Sequence, residues 1–459
     1  MKDVVIIGAG PAGLAAGERL CSRKVNTLIL EKDPQVGGLS RTVIYKGNYF
    51  DIGGHRFFTK NKDVFSWWQG LLREDFLKVR RISRIYYKGR YFDYPIALSN
   101  VVLNLGLQDS LLILGSYLKG KFFPSRNENN LKEWITNRFG KRLFETFFKG
   151  YSEKVLGLSC DCISADWVAE RIRGVSFFAA IGNALSRKRN NKIASLIKDF
   201  YFPGKGSGVM YEAAAAKIIE QGGRIRLQSE VVAIKHNQGR ITGLVCKDTR
   251  AASQFEVEGS NFCSSMPITS LISRMTPSVD RELLEKCASL RYRGLVVVYL
   301  IIGKAELFPD NWIYVHSPEV RLARIQNFKN WSPDMLSDLQ TTTLGMEYFC
   351  DEEDTLWSMS NADLIDLATR ELEKIGLSKA EDVIDGYVLR VPNAYPVYDK
   401  DYRRNLVPLK DFISGFSNLQ CIGRYGMFHY GLMDHAVLTG LLAAENILGS
   451  RNDLWNLGT

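Results

Sequence analysis

The sequence is poor in histidine, and its cysteines follow no metal-binding or disulfide pattern. Of the 459 residues, five are histidine and eight are cysteine. Only Cys160 and Cys162 lie close together, one residue apart, and no CxxC pair occurs. Cysteines scattered in this way predict neither a zinc site nor a disulfide framework, so we expect no metal ligands. Reduced thiols are typical of an intracellular protein, and we expect a cytoplasmic location.

The sequence also lacks an uninterrupted apolar run that could cross a membrane, which needs about 20 residues. The nearest run, from Ile96 to Leu118, is interrupted by Asn100, Asn104, Gln108 and Asp109. The first residues lead directly into a predicted strand and show no signal-peptide pattern. We therefore expect no integral membrane segment, while the run itself fits either a helix pair or a peripheral membrane contact.

Acidic residues are outnumbered by basic ones, and the formal net charge is +10. Such an excess favours nucleic acid, an anionic membrane face or a phosphorylated substrate as partner. The densest basic run, Arg187 to Arg189 with Lys192, lies among polar residues and indicates a solvated loop, and Ser186 to Asn191 is predicted to be mobile. No nucleic-acid recognition motif accompanies the charge, so we expect no nucleic-acid partner. The sequence leaves the oligomeric state open.

A dinucleotide-binding pattern occupies the start of the chain. Val4 to Ile7 is an apolar, β-branched run, as expected of a parallel strand buried on both faces. The stretch GAGPAG follows and opens a predicted helix, with Ala12 inside the turn. In this pattern Gly8 makes the tight turn, Gly10 lets the backbone approach a pyrophosphate, and Gly13 lets the helix pack on the strand. The helix N-terminus offers free N–H groups to the phosphates.

A second apolar strand, Thr27 to Leu30, ends at Glu31, 18 residues after Gly13. A carboxylate there can accept hydrogen bonds from the ribose hydroxyls of an adenine dinucleotide. The following stretch, KDPQVGGLSRT, contains a second glycine turn and resembles the extended FAD motif of glutathione-reductase-like flavoproteins. The resemblance implies FAD rather than NAD, with Gly38 and Leu39 beside the diphosphate region of the cofactor.

Two later segments resemble further parts of the same cofactor site. Gly222 to Leu227 leads into a strand that resembles the adenine-contacting strand of those flavoproteins, which implies a contact from Val231. LQCIGRYG, before a helix predicted over 436–448, resembles their last FAD-binding segment. This resemblance implies contacts from Gly423, Arg424 and Met433.

The three FAD segments are far apart, so the predicted fold class is α/β with a discontinuous, glutathione-reductase-like Rossmann lobe that binds FAD. We assign this lobe to residues 1–95, 201–284 and 406–459. A helical insertion is predicted over 96–200, where Phe144, Phe147, Phe148 and Tyr151 follow helical spacing and the three phenylalanines are expected to pack on the core.

A sheet domain for substrate binding is predicted over 285–405. Its expected strands run from Leu295 to Ile302, Thr342 to Phe349 and Val383 to Arg390. One helix is expected from Asn361 to Ile375, with Asn361 as its N-cap and Gly376 past its end.

With the FAD segments in place, the chain resembles the amine-oxidase and UDP-galactopyranose mutase branch of the flavoproteins, or a protoporphyrinogen-oxidase-like sister group. GGHRFFT resembles the mutase loop beside the flavin, which implies that Gly54 and His55 lie near the isoalloxazine. An imidazole there could donate or accept a hydrogen bond.

Four short stretches resemble mutase segments: three that carry substrate-site residues and, last, the motif that closes the flavin site. They are FGKRLFETFFKGYSEKVLG, YRGL, AYPVYD and GRYGMFHYGLMDHA. The resemblance implies substrate contacts from Tyr151, Arg293, Tyr395 and Tyr430. Arg293 is the first choice for a nucleotide-sugar diphosphate because a guanidinium donates paired hydrogen bonds, and Arg173 is the second.

The resemblance implies an FAD-dependent enzyme acting on a small-molecule nucleotide sugar. It would be a reduced-flavin mutase that interconverts pyranose and furanose forms, as in polysaccharide biosynthesis, with a reductant such as NAD(P)H. The chain departs from the mutases at Leu156, where they carry Trp, and at Leu432, where they carry an acid. The alternative is an FAD-dependent oxidoreductase, an oxidase or desaturase of the amine-oxidase or protoporphyrinogen-oxidase type.

Overall fold

The computed structural model describes residues 3–72, 75–94, 105–172 and 198–457. The second-choice residue Arg173 and the predicted loop Ser186 to Asn191 lie outside the described residues. All eight cysteines are free thiols. In the described ranges, no cluster of three or more His, Cys, Asp or Glu side chains is placed to hold a metal ion.

A five-stranded parallel sheet forms the centre of the first lobe. Its strands, in spatial order, are Leu419–Cys421, Asn261–Ser264, Asp3–Ile7, Asn26–Leu30 and Arg224–Arg226. The helices against it include Pro11–Ser22, Gly208–Glu220 and Met433–Leu448. Because helices cover it, apolar residues such as Val4 and Ile6 are fully buried. The strands come from three separated parts of the chain, as the α/β prediction of a discontinuous lobe requires.

A smaller sheet lies beside this one, and its strands in order are Gln254–Val257, Arg240–Asp248, Ser229–Asn237 and Met275–Thr276. The segment after it contains the helices Ile268–Ser273 and Arg281–Ser289. The chain then enters the second lobe at Tyr292.

The second lobe is a seven-stranded sheet. Its strands, in order, are Val383–Pro396, Tyr292–Ile302, Thr342–Cys350, Arg324–Asn327, Trp312–Val315, Ser83–Tyr87 and Arg90–Asp93. The three predicted strands are therefore present. The hairpin of residues 83–93, predicted as part of the FAD lobe, belongs instead to this sheet, because Trp312–Val315 pairs with Ser83–Tyr87 in parallel.

The predicted helix of the second lobe spans Asn361–Lys374 and packs Leu364 and Leu372 on the sheet. Its N-cap is Ser360 rather than Asn361, because the Ser360 side chain accepts a hydrogen bond from the Asp363 backbone N–H. Gly376 follows the helix with φ +73°, in the left-handed region that favours glycine.

The described part of the insertion is mainly helical, with helices Leu107–Phe122, Leu131–Phe139, Lys141–Leu143, Lys149–Leu156 and Ala165–Ile172. Phe144–Phe148 forms a π-helical turn, a feature that often marks functional sites. Phe144 and Phe147 are buried, as expected, while Phe148 is half-buried. None of the described helices is both long and apolar enough to cross a bilayer.

The remaining elements connect these layers. The strands are Thr42–Tyr45 with Asn48–Asp51, and Leu77–Arg80 with Asp199–Phe202. The helices and short turns are Gly38–Ser40, Lys62–Leu72, Phe328–Asn330, Pro333–Met335, Thr355–Ser358, Ala380–Asp382, Tyr402–Ser414 and Gly423–Gly426.

Candidate active site

A single cavity of about 1160 Å³ extends from the first glycine turn to the face of the seven-stranded sheet. Most of the predicted site residues line it: Gly8, Gly10, Ala12, Glu31, Gly38, Leu39, Gly54, His55, Tyr151, Val231, Tyr395, Gly423, Arg424, Tyr430 and Met433. Gly13 and Arg293 are not among the lining residues. The fold therefore brings together segments that are hundreds of positions apart in the sequence.

The three glycines of the first turn differ in whether, and why, the fold requires glycine at that position. Gly8 has φ +98°, and a Cβ there would lie 2.2 Å from Ser265 Oγ. A Cβ on Gly13 would lie 1.9 Å from the Gly8 carbonyl oxygen, so this glycine serves helix–strand packing. A Cβ on Gly10 would meet only the Gly38 Cα, at 3.9 Å. The protein itself therefore does not require glycine at position 10, which leaves backbone open to a ligand in the cavity.

Glu31 lies at the end of its strand and is buried. Its Oε2 accepts a hydrogen bond from the Ala9 N–H at 2.7 Å, and its Oε1 accepts one from the Asp33 N–H at 2.9 Å. Burial raises the pKa of Glu31, although these two hydrogen bonds oppose the shift. The fixed carboxylate retains lone pairs for ribose hydroxyls, as the sequence predicts.

The second glycine turn packs directly on the first. Gly37 donates its N–H to the Ala9 carbonyl at 2.8 Å. Gly38 has φ +53°, and a Cβ on it would lie 3.2 Å from the Gly10 Cα. The two turns thus form one backbone-lined groove, where a diphosphate could approach without side-chain obstruction.

The last predicted segment closes the same groove. Gly423 has φ +71°, and a Cβ there would lie 3.0 Å from the Ala12 Cβ. Its N–H donates to Thr439 Oγ1 at 2.9 Å, which ties it to the helix Met433–Leu448. His435 belongs to that helix, and its Nδ1 accepts a hydrogen bond from the Leu432 N–H at 3.2 Å, a capping role.

The loop with His55 lies where the groove meets the second lobe. Phe57 anchors it, because Phe57 and Tyr201 exchange backbone hydrogen bonds and Phe57 stacks on Trp68. The His55 Nδ1 is buried and has no hydrogen-bond partner. Burial, together with the positive charges of Arg424 and Arg324, lowers the pKa of His55 to about 3. The imidazole is therefore neutral at physiological pH, with one nitrogen directed to no described partner.

Arg424 contacts two of the tyrosines that are predicted to bind substrate. Its guanidinium lies 5.2 Å from the Tyr395 ring centroid and 5.1 Å from that of Tyr430. The two rings are stacked, with centroids 5.7 Å apart and planes 18° apart. Arg424 donates to the carbonyls of Gly431 and Ala394. Both tyrosines line the cavity beside Arg424.

Arg324 is a functional candidate that sequence reasoning missed. It lines the cavity and forms a paired hydrogen bond to the buried Glu347. Burial alone would lower its pKa, but the charge of Glu347 and the nearby phenols of Tyr395 and Tyr151 raise the pKa above its ordinary value. A signal existed in the sequence, since Arg324 and Gln326 stand on either side of the apolar Ile325 and would share one face of a strand.

Tyr151 reaches the same region from the insertion. Its ring stacks on His316, with centroids 4.4 Å apart and an interplanar angle of 15°. His316 also lines the cavity, and its Nδ1 is buried without a partner. Burial and the charge of Lys154 lower the pKa of His316 to about 3. His316, like Arg324, was not singled out from the sequence.

Arg293 does not occupy the position predicted for it. Its side chain is buried, and its Nη1 lies 2.6 Å from Asp351 Oδ2 and 3.4 Å from Asp354 Oδ2. Its Nη2 donates to the Phe349 carbonyl at 3.1 Å. A Cβ on Gly157 would lie 2.6 Å from the Arg293 Cζ, so the insertion packs tightly over the guanidinium. In this structure Arg293 forms an internal ion pair and is not among the cavity-lining residues, and its substrate contact stays a prediction.

Three other arginines line the cavity without a carboxylate partner among the described residues: Arg56, Arg390 and Arg424. Arg390 donates to the Trp357 and Met359 carbonyls and to Asn361 Oδ1. Arg56 lies over the Trp312 ring at 5.8 Å, and its buried Nη1 has no partner. These three guanidinium groups therefore lie at the cavity with no described carboxylate at ion-pair distance.

Comparisons with known proteins identify the family and the fold of the chain. A family profile described as "Flavin containing amine oxidoreductase" matches residues 11–448. Protoporphyrinogen oxidase 2, chloroplastic/mitochondrial, from Arabidopsis thaliana is 24% identical over 267 residues, covering 52% of this chain. That match spans only 51% of the plant protein's own length.

Two solved structures show the same fold over nearly the whole chain. A reduced UDP-galactopyranose mutase superposes with a TM-score of 0.84 at 22% identity, covering 99% of this chain and 97% of the mutase. A triple mutant of putrescine oxidase superposes with a TM-score of 0.66 at 16% identity, covering 97% of this chain and 98% of the oxidase. At these identities the likeness establishes the fold and leaves the reaction to be argued from the site.

Proposed function

Because the chain belongs to the flavin-containing amine oxidoreductase family and its cofactor is FAD, we propose that it is an enzyme acting on a nucleotide sugar. The proposed reaction interconverts pyranose and furanose forms, as in UDP-galactopyranose mutase. The observation that carries this proposal is the pair of cavity arginines, Arg56 and Arg390, that lack a described carboxylate partner and are not among the residues predicted to hold FAD.

Uncompensated guanidinium groups in a cavity favour an anionic ligand. A guanidinium matches a diphosphate because its planar fork donates two parallel hydrogen bonds. A primary amine substrate would be cationic at neutral pH and would be repelled by the same groups. The charge of the cavity thus supports a phosphorylated substrate over an amine.

Arg324 is our candidate for the main diphosphate contact, in place of Arg293. Glu347 fixes two of its nitrogens, while Tyr395 and Tyr151 lie close enough to interact with its charge. A phenol can add a neutral hydrogen bond to a phosphate oxygen. Tyr430, stacked on Tyr395, would extend this set of donors.

FAD in its reduced form would supply the nucleophile toward the sugar, and a reductant such as NAD(P)H would maintain that form. The chain's own residues would bind and orient the nucleotide diphosphate and keep water away. Aromatic side chains suit the second task, since Trp312, Trp331 and Phe349 line this part of the cavity. The neutral His55 could donate or accept one hydrogen bond at its unpartnered Nδ1.

A second candidate is an oxidase, favoured by the sequence similarity to a protoporphyrinogen oxidase and by the fold shared with putrescine oxidase. The departures from the mutases at Leu156 and Leu432 also favour an oxidase. Leu156 is buried, and Leu432 is half exposed at the cavity lining. An oxidase of this kind would remove two electrons and two protons from a small-molecule substrate and pass the electrons to an acceptor.

Product mass and oxygen consumption separate the two candidates. The purified, FAD-loaded protein is incubated with UDP-galactose and other UDP-hexoses, with and without dithionite, and the products are analysed by chromatography and mass spectrometry. We expect a new product of unchanged mass that forms only with dithionite, and no oxygen consumption in the arm without dithionite. A product that has lost a pair of hydrogens, with uptake of an electron acceptor, would contradict the mutase proposal and support the oxidase.

A further inference from the structure

The helix Leu107–Phe122 has one face packed on the protein and an opposite face that is apolar and exposed. Ile113 and Tyr117 are buried on the packed face. Contact there is close, because a Cβ on Gly120 would lie 2.6 Å from the Thr136 carbonyl oxygen. The orientation of this helix on the neighbouring helix Leu131–Phe139 is thus fixed by packing.

The opposite face carries large apolar side chains. Leu111, Leu114, Leu118 and Phe122 are 59%, 45%, 41% and 69% exposed. Their spacing of three or four residues places them in one stripe along the helix. Leu112 and Phe123, 50% and 79% exposed, lie next to it. We call these six residues the apolar stripe. Contiguous exposure of this kind indicates an interaction surface, whereas single exposed leucines do not.

The charges around the apolar stripe are predominantly positive. Lys119 and Lys121 are exposed and, at 3.6 residues per turn, lie on opposite sides of the stripe. Arg126 is exposed shortly after the helix. Of the acidic groups nearest in sequence, Asp109 is paired with Arg142 and Glu128 with Arg138. An anionic partner would therefore complement this surface.

We propose that the apolar stripe binds the surface of an anionic lipid bilayer. The leucines and phenylalanines would enter the interface while the flanking lysines contact lipid phosphates. The helix has 16 residues, and none of the described helices can cross a bilayer, so the contact is peripheral. A second copy of the chain fits less well, because symmetric pairing would bring Lys119 and Lys121 of both copies together in a protein of net charge +10.

Vesicle co-sedimentation of the full-length, FAD-loaded protein tests the proposal. One set of vesicles contains phosphatidylcholine alone, and the other contains phosphatidylcholine and phosphatidylglycerol in equal amounts. We expect binding to the anionic vesicles, weakened by added salt, and roughly tenfold less binding to the neutral ones. Equal binding to both, or none to either, would overturn the proposal.

Variants locate the contact. Leu118→Glu with Phe122→Glu should lower anionic-vesicle binding by roughly tenfold, and Lys119→Glu should lower it to a smaller degree. Ile219→Glu is the matched control, because Ile219 is 60% exposed on a helix of the FAD lobe. It should bind vesicles as the wild type does. If the double variant binds like the wild type, the stripe is not the contact.

Two further measurements keep the result interpretable. Flavin absorbance and the thermal midpoint show whether each variant is folded, and Leu118→Ser with Phe122→Ser replaces the glutamate pair if that pair does not fold. Light scattering reports self-association. The wild type could form a dimer and fail to bind vesicles, while the double variant is a monomer. That result would assign the apolar stripe to a second copy of the chain and overturn the membrane proposal.

Discussion

Arg324 and Glu347 meet as a paired ion contact beneath the loop that carries His55. The Arg324 Nε lies 2.9 Å from Glu347 Oε1, and the Nη2 lies 2.5 Å from Oε2. The two residues are directly opposite each other on adjacent antiparallel strands. Gly53 allows this approach, because a Cβ there would lie 3.3 Å from Glu347 Oε1. Strand register thus presents a fixed guanidinium to the cavity.

Arg324→Lys should weaken nucleotide-sugar binding while preserving the charge. Lysine cannot reproduce a planar pair of donors, and we expect the dissociation constant for UDP-galactose to rise by roughly 30-fold, or about 2 kcal/mol. Isothermal titration calorimetry measures it. Arg84→Lys is the matched control, because Arg84 forms a similar pair with the buried Asp310 on the same sheet but outside the cavity. Equal effects in both variants would remove Arg324 from the substrate site.

Arg293→Ala should lower stability and leave substrate binding unchanged. The substitution removes a buried guanidinium from Asp351, which is partly exposed, so we expect a loss of about 2 kcal/mol in the free energy of unfolding. Urea denaturation measures this loss, and calorimetry with UDP-galactose measures binding. A dissociation constant that rises as strongly as in Arg324→Lys would restore the role that the sequence resemblance implied for Arg293.

The difference between these two arginines shows what the sequence could predict. The glycine turns and Glu31 act through local backbone, and their spacing alone was sufficient to place them. Arg324 depends on pairing with Glu347, 23 residues away, and on a sheet that also includes residues 83–93. Arg293 lies on a strand whose register directs it to Asp351. No local pattern contains such cross-strand partners.

Gly10→Ala and Gly13→Ala should separate cofactor binding from folding. Alanine at position 10 meets no described atom closer than 3.9 Å, so the protein should fold with a near wild-type thermal midpoint but lose most of its FAD. Alanine at position 13 would place its Cβ 1.9 Å from the Gly8 carbonyl oxygen and should destabilise the fold itself. Flavin absorbance per chain and thermal unfolding distinguish the outcomes. If Gly10→Ala retains full FAD content, the open groove is not the diphosphate site.

His55 should make stability depend on pH in a defined direction. Its pKa is lowered to about 3 in the folded protein by burial and then by Arg424 and Arg324, compared with about 6.5 in an unfolded chain. Between these values the unfolded state binds more protons. The stability that neutral His55 contributes is therefore complete above about pH 6.5 and is lost as pH falls toward about 3.

We therefore expect His55→Gln to be less sensitive to acid than the wild type. The difference in free energy of unfolding between the two proteins should change by up to about 1.4 kcal/mol per pH unit below about pH 6.5, because one proton is involved. Urea denaturation at about pH 7 and about pH 5 measures it. His316→Gln should show the same sign, since burial and Lys154 lower the pKa of His316 to about 3. A pH-independent difference for His55→Gln would mean that the imidazole is solvated, and His55 could not then be a neutral group facing the flavin.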